Sequence, residues 1–160
     1  MNVSLDRLWW GPKFWKVLHT LAECSGGLQS PILQNDEADI WKILLKAQGF
    51  VMPCLQCKDH YLKYRLYNSI PDLRKIINQE RKKFLTHWLW ECHTRVNRET
   101  QKESLPEEEL GQLYMNRTIR SDIEELYSMF TIGLQQKQLQ REDTHRWKMC
   151  ITRLQILYGL

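Results

Sequence analysis

An all-α fold is predicted by three features of this sequence. Apolar residues recur at three- and four-residue spacing through nearly every segment, no stretch sustains the period-two alternation of a strand, and no hairpin turn signals frame one. Taken in order, the first helix is expected to open near Gly11-Pro12, since proline is favoured in a first helical turn. It continues through Phe14, Trp15, Leu18, Leu21 and Ala22 until Ser25-Gly26-Gly27 stops it. Apolar groups on both of its faces make it a central helix. A polar loop with Pro31 follows, and Asn35 or Asp36 is the expected cap of a second helix that turns Ile40, Trp41, Leu44 and Leu45 inward and ends around Gly49.

Pro53 is expected to start the third helix, which places Cys54 and Cys57 in its first turn, with Tyr61, Leu62 and Leu66 beyond them and Asn68 to Pro71 as the break. The fourth helix is the longest: Leu73, Ile76, Ile77, Phe84, Leu85, Trp88, Leu89, Cys92 and Val96 hold one stripe. Beyond Lys102 the composition shifts to Gln, Glu and Arg, punctuated by Pro106. New amphipathic patterns then run through Ile123, Leu126, Phe130 and Leu134, and through Trp147, Ile151 and Leu154.

With 160 residues and 42% hydrophobic content, the chain is sized for one domain with a sizeable core. A charged fraction of 26% and only short apolar runs exclude a transmembrane span and a disordered tail, so no membrane partner is expected. The formal charge of +4 is spread along the chain without a dense basic stripe, which speaks against nucleic acid. Seven tryptophans are far above ordinary usage, and such flat side chains either fill a core or wall in something flat. The start, Met1 to Asp6, shows no basic and apolar signal pattern, so a cytoplasmic setting is expected and Asn2-Val-Ser4 and Asn116-Arg-Thr118 read as chance matches to a glycosylation pattern.

Five cysteines are too few and too scattered for a disulfide-stapled secreted domain, and Cys54 and Cys57 stand out as a Cys-x-x-Cys. At a helix start, unsatisfied amide N–H groups and the positive end of the dipole stabilise a thiolate, so the pair suits thiol–disulfide exchange. A zinc site completed by Cys92, His60, His87 or His93 is the rival reading. It is disfavoured because six residues on a helix leave His87 and His93 about 120° apart. Incidental packing is a third reading, and the motif alone leaves all three open. Trp15 and His19 lie four apart on one helix, as do His93 and Asn97 on another, so each pair shares a helix face. Each is readable as a packed indole with a hydrogen-bonded histidine, or as part of a wall around a flat heterocycle.

The ordered segments Gly11-Pro-Lys-Phe-Trp15-Lys-Val-Leu-His19, Pro53-Cys54-Leu-Gln-Cys57 and Trp88-Leu-Trp-Glu-Cys-His93-Thr-Arg-Val96-Asn97 resemble the Erv/ALR family of FAD-dependent sulfhydryl oxidases, over roughly residues 7 to 102. The resemblance implies a four-helix bundle, here with an appended C-terminal helical segment: an FAD-binding domain at 1–105 and an extension at 106–160. It implies Cys54 and Cys57 as the redox pair, Cys54 meeting protein thiol clients and Cys57 facing the flavin, with molecular oxygen as acceptor and hydrogen peroxide as product. It further implies that Trp15 and His19 help enclose FAD, that His93, Val96 and Asn97 supply a second wall, that Arg7 and Gly11 stand at family positions, and that Lys102 faces the phosphates. No metal is expected, and the family organisation implies a homodimer.

The chain departs from the family at Thr94, at Thr100-Gln101 and at Trp90, which stands where cellular relatives carry a cysteine of a structural disulfide. Without a second cysteine pair to act as a shuttle, it is most similar to the short members from large cytoplasmic DNA viruses, which points to a host cytoplasmic or virion setting. A zinc-binding module and an FAD-free helical scaffold are the alternative functions. Cys92 and Cys24 are expected to be buried and inert, and Cys150 to lie in a flexible tail.

Overall fold

The computed structural model describes residues 2–160. Among them the chain is entirely helical: α1 Arg7–Glu23, α2 Pro31–Ala47, α3 Leu55–Tyr67, α4 Asn78–Glu99, α5 Leu110–Tyr114, α6 Arg120–Gln135 and α7 Arg141–Tyr158, with single 3-10 turns at Gln48–Phe50, Leu73–Lys75 and Glu107–Glu109.

Four helix starts differ from the sequence reading. α3 begins at Leu55 rather than at Pro53, so Cys54 is its N-cap and only Cys57 falls in its first turn. The other three each differ for a local reason. α1 begins at Arg7, because the Asp6 carboxylate accepts from the Leu8 N–H at 2.8 Å and caps it there. Pro12 therefore lies inside the helix, where it denies the Leu8 carbonyl its usual donor; both residues are exposed, so solvent can take its place. α2 begins at Pro31 rather than beyond Asn35, because proline at the first helical position is already set to the right φ. Ile32 and Leu33 in its first turn are exposed, so no buried stripe announced that turn. α4 begins only at Asn78: the Asp72 side chain accepts from the Arg74 N–H at 3.2 Å and closes a 3-10 turn, after which Ile76 is extended. Leu73 is still buried, through that turn packing on α2 rather than through α4.

α1 is central, packed by α4, α5 and α6, while α3 lies on α4 and α7 lies along α2. The helices beyond residue 106 do not stand apart from this bundle. Leu126, Phe130, Trp147, Ile151 and Leu154 are fully buried in the same continuous apolar cluster as Val17, Leu21, Trp41, Leu45 and Leu89. Two indoles lock the arrangement: Trp41 Nε1 donates to the Tyr158 hydroxyl at 2.8 Å, and Trp147 Nε1 donates to Gln48 Oε1 at 2.6 Å. The second bond joins α7 to the turn that leads into Cys54.

Candidate active site

The segment entering α3 is held on two sides. Gln48 is buried under Trp147, and at Gly49 a Cβ would come within 2.8 Å of Leu62 Cδ2 and 3.0 Å of Tyr61 Cδ1, so any larger residue would have to push these α3 side chains aside. Tyr61 completes the clamp by donating its hydroxyl to the Leu45 carbonyl at 2.5 Å. From this support the chain delivers Cys54 as the N-cap of α3 and Cys57 in its first turn, joined as a disulfide, with the Cys57 N–H donating to Cys54 Sγ at 3.1 Å.

The two cysteines line different clefts. Cys57 borders a cleft of about 350 Å³, within the range of small-molecule sites. The same cleft is lined by Arg7, Gly11, Trp15, His93, Val96, Asn97 and Lys102, so α1, α3, α4 and the segment just after α4 bring together eight of the ten candidate residues. Gly11 lines the cleft, and nothing lies within 4 Å of where its Cβ would be. Cys54 borders a second, separate cleft. His19, only 1% exposed, lies behind the wall of the first.

The wall is layered. Trp15 and His93 stack face to face, with centroids 4.1 Å apart and planes 7° apart, so they form one surface rather than the two sides of a slot. Behind them His19 Nε2 and His93 Nδ1 share a hydrogen bond of 3.1 Å, one ring donating and the other accepting. Burial, reinforced by His93, pushes His19 down to about 3; burial, reinforced by Lys102, pushes His93 down to about 4. Both rings are therefore neutral near neutral pH, which suits contact with an uncharged heterocycle. Arg7 and Lys102 are exposed, at the edge of a cleft whose other lining is largely apolar.

Several lining residues went unnoticed in the sequence. Tyr114, from α5, stacks on His19 with centroids 4.6 Å apart and planes 15° apart, and also lines the cleft. Glu103 and Leu105 line it as well, because the chain after α4 folds back along that helix. Asn97 Nδ2 donates to the Glu103 carbonyl at 3.1 Å, Trp90 Nε1 to the Leu105 carbonyl at 2.8 Å, and His87 Nδ1 pairs with Glu107 at 2.6 Å. His60, a candidate zinc ligand in the sequence, also belongs here: it sits three residues after Cys57 on the same face of α3, lines the cleft and pairs with Glu99 at 3.2 Å.

The ligand set considered for zinc does not assemble: Cys54 and Cys57 are bonded to each other, His87 is turned to Glu107, and His93 stacks on Trp15. Among the described residues no three His, Cys, Asp or Glu side chains converge on a metal position. Cys92 is fully buried and burial pushes its thiol well up, as expected of an inert core cysteine. Two expectations need correction. Cys24 is only partly buried, since it lies at the C-cap of α1; Cys150 is on no flexible tail but at 5% exposure within α7, its thiol pushed up to about 11 by burial. No helix among the described residues is long and apolar enough to cross a membrane.

The family model described as Erv1 / Alr family matches residues 12–117. A protein of African swine fever virus named FAD-linked sulfhydryl oxidase is 24% identical over 120 residues, covering 71% of this chain and 87% of that protein. Two relatives given the same name provisionally come from invertebrate iridescent virus 6, at 30% identity over 106 residues covering 65% of this chain and 90% of that protein, and from invertebrate iridescent virus 3, at 27% over 112 residues covering 70% of each. No solved structure matches the chain.

Proposed function

The chain belongs to the Erv1/Alr family, and on that premise we propose that it is an FAD-linked thiol oxidase that forms disulfides in client proteins and passes the electrons to oxygen. The observation that carries this reading is the division of one disulfide between two clefts, Cys57 on the aromatic and imidazole-lined one and Cys54 on the other.

The residues of the first cleft fit FAD. Trp15, His93, Val96 and Tyr114 offer flat and apolar surface beside the Cys57 sulfur, Gly11 leaves room, and Arg7 and Lys102 supply cations at the rim for a pyrophosphate. His19 acts through His93, fixing its ring by the shared hydrogen bond. Bound FAD would supply a two-electron acceptor at Cys57 and a route to oxygen that yields hydrogen peroxide.

The chain's own part is exchange chemistry. A client thiolate attacks Cys54 Sγ, the Cys54–Cys57 bond breaks, and Cys57 leaves as a thiolate in the first turn of α3, where the amide groups and helix dipole stabilise it. A second client thiolate displaces Cys54 and completes the client disulfide. Cys57 then faces the first cleft with its electrons. The same family reading includes a homodimer and a host cytoplasmic setting; sedimentation of the full chain tests the first.

An absorption spectrum of the purified protein is the primary experiment: flavin bands support the oxidase, and their absence supports the FAD-free scaffold. Cys54→Ser and Cys57→Ser are each expected to abolish oxygen consumption with a small dithiol while retaining flavin. Wild-type turnover by either variant refutes the relay.

A further inference from the structure

The cleft at Cys54, about 360 Å³, is built by two segments far apart in sequence. Phe50 and Leu55 contribute apolar surface that the fold leaves uncovered, at 36% and 81% exposure, and Lys58 holds its ammonium 4.9 Å from the centre of the Phe50 ring. Facing them are Lys137 and Gln138, from the turn between α6 and α7. These two residues lie beyond the family match, which ends at residue 117.

That turn is firmly set. Lys137 takes the left-handed conformation at φ 58°, its N–H donates to the Leu134 carbonyl at 3.1 Å, and the Gln138 N–H donates to the Gly133 carbonyl at 2.8 Å. Leu139 is buried directly over Gly133, where a Cβ would come within 2.7 Å of Leu139 Cδ1. The backbone at Lys137, on the cleft that Cys54 also lines, is thus set by packing of the C-terminal helices. The lining of this cleft carries two ammonium groups and no carboxylate.

Building on the thiol-oxidase reading above, we propose that this cleft is the client-docking groove and that Lys58 and Lys137 select protein segments whose reacting cysteine is flanked by acidic residues. An extended segment lays an apolar side chain on Phe50 and Leu55 and its carboxylates against the two lysines, which brings its thiolate onto Cys54 Sγ. The new client–Cys54 bond forms as Cys54–Cys57 breaks. When a second client thiolate displaces Cys54, the client has lost two electrons and two protons, and the enzyme pair has gained them. Charges at the rim of a binding groove act chiefly on encounter and on the choice of partner, and salt screens them.

The test is oxygen consumption by the full chain with dithiothreitol and with two dithiol peptides that differ only in carrying Asp and Glu, or Lys and Arg, around the cysteines. The wild type is expected to favour the acidic peptide in kcat/KM by about three- to tenfold at low salt, a preference that shrinks at high salt. Lys137→Glu should reverse the preference and Lys137→Gln should reduce it, each read as the ratio of kcat/KM for the two peptides in protein that retains its flavin absorbance. Equal use of the two peptides by the wild type, or a preference that both variants leave intact, overturns the docking proposal while the oxidase reading stands. Absence of dithiothreitol turnover in the wild type overturns the oxidase reading, and this proposal with it.

Discussion

His19 and His93 share one hydrogen bond, so at least one of the two rings must stay neutral to accept it. Their ordinary value is 6.5, and in the folded chain they titrate near 3 and 4. Because both are depressed, the unfolded chain binds more protons than the folded one once the pH drops below about 6.5. Their contribution is whole above that point and is lost as the pH falls toward 4 for His93 and 3 for His19. Taken together, the pair lowers stability by roughly a few kcal/mol between pH 7 and pH 5. Urea unfolding at pH 7 and pH 5 should show this loss, and His19→Gln should make the profile shallower. A profile unchanged by that substitution would show that His19 is not the group responsible. Trp90, at the position where the family resemblance places a disulfide cysteine in cellular relatives, reaches the Leu105 carbonyl through its N–H at 2.8 Å.

At the scale of elements, that bond belongs to a set that seats the segment after α4. Trp90, Asn97 and His87 each hold one point of residues 103–107 against the helix, so Glu103 and Leu105 line the cleft and the chain then enters α5 with Tyr114 over His19. A disulfide would tie such a segment covalently; here hydrogen bonds do so, at roughly 0.5–1.5 kcal/mol each. Trp90→Phe keeps the ring and removes the donor. It should speed hydrogen exchange in residues 101–109 several-fold with little change in α1 or α2, and weaken retention of FAD during dialysis. Exchange as slow as in the wild type would show that the other two contacts suffice.

For the whole molecule, the C-terminal helices are part of the body that carries the redox motif. Trp147 is fully buried, meets Phe14 and Phe130 edge-on at 5.4 and 5.3 Å, and donates to Gln48 just ahead of Cys54. Trp147→Ala removes that packing and leaves the Gln48 side chain buried without its donor. The expected cost is about 3–5 kcal/mol by equilibrium unfolding. Dithiol turnover should fall as well, measured below the new transition, because the turn at Gln48–Phe50 loses its anchor. A loss under 1 kcal/mol would mean that α7 is only loosely joined to the bundle.

What the sequence determined by itself is local in origin. The helical class, the placement of Cys54 and Cys57 at a helix start, and the pairing of Trp15 with His19 and of His93 with Asn97 on common faces all follow from spacings of three and four residues, which helix geometry converts directly into neighbours. The helix starts at Arg7, Pro31 and Asn78 were missed, because capping by Asp6 and Asp72 and the preset φ of Pro31 outweighed an apolar stripe that is silent where a first turn is exposed. Packing of helices brings His19 to His93 across 74 residues, Trp147 to Gln48 across 99, Tyr114 onto His19, and Lys137 to the cleft that Cys54 lines. Those contacts depend on which helix faces pack against which. That choice is made by burial of the shared core, which is non-directional: the apolar period marks which face of each helix is buried and not which helix it meets.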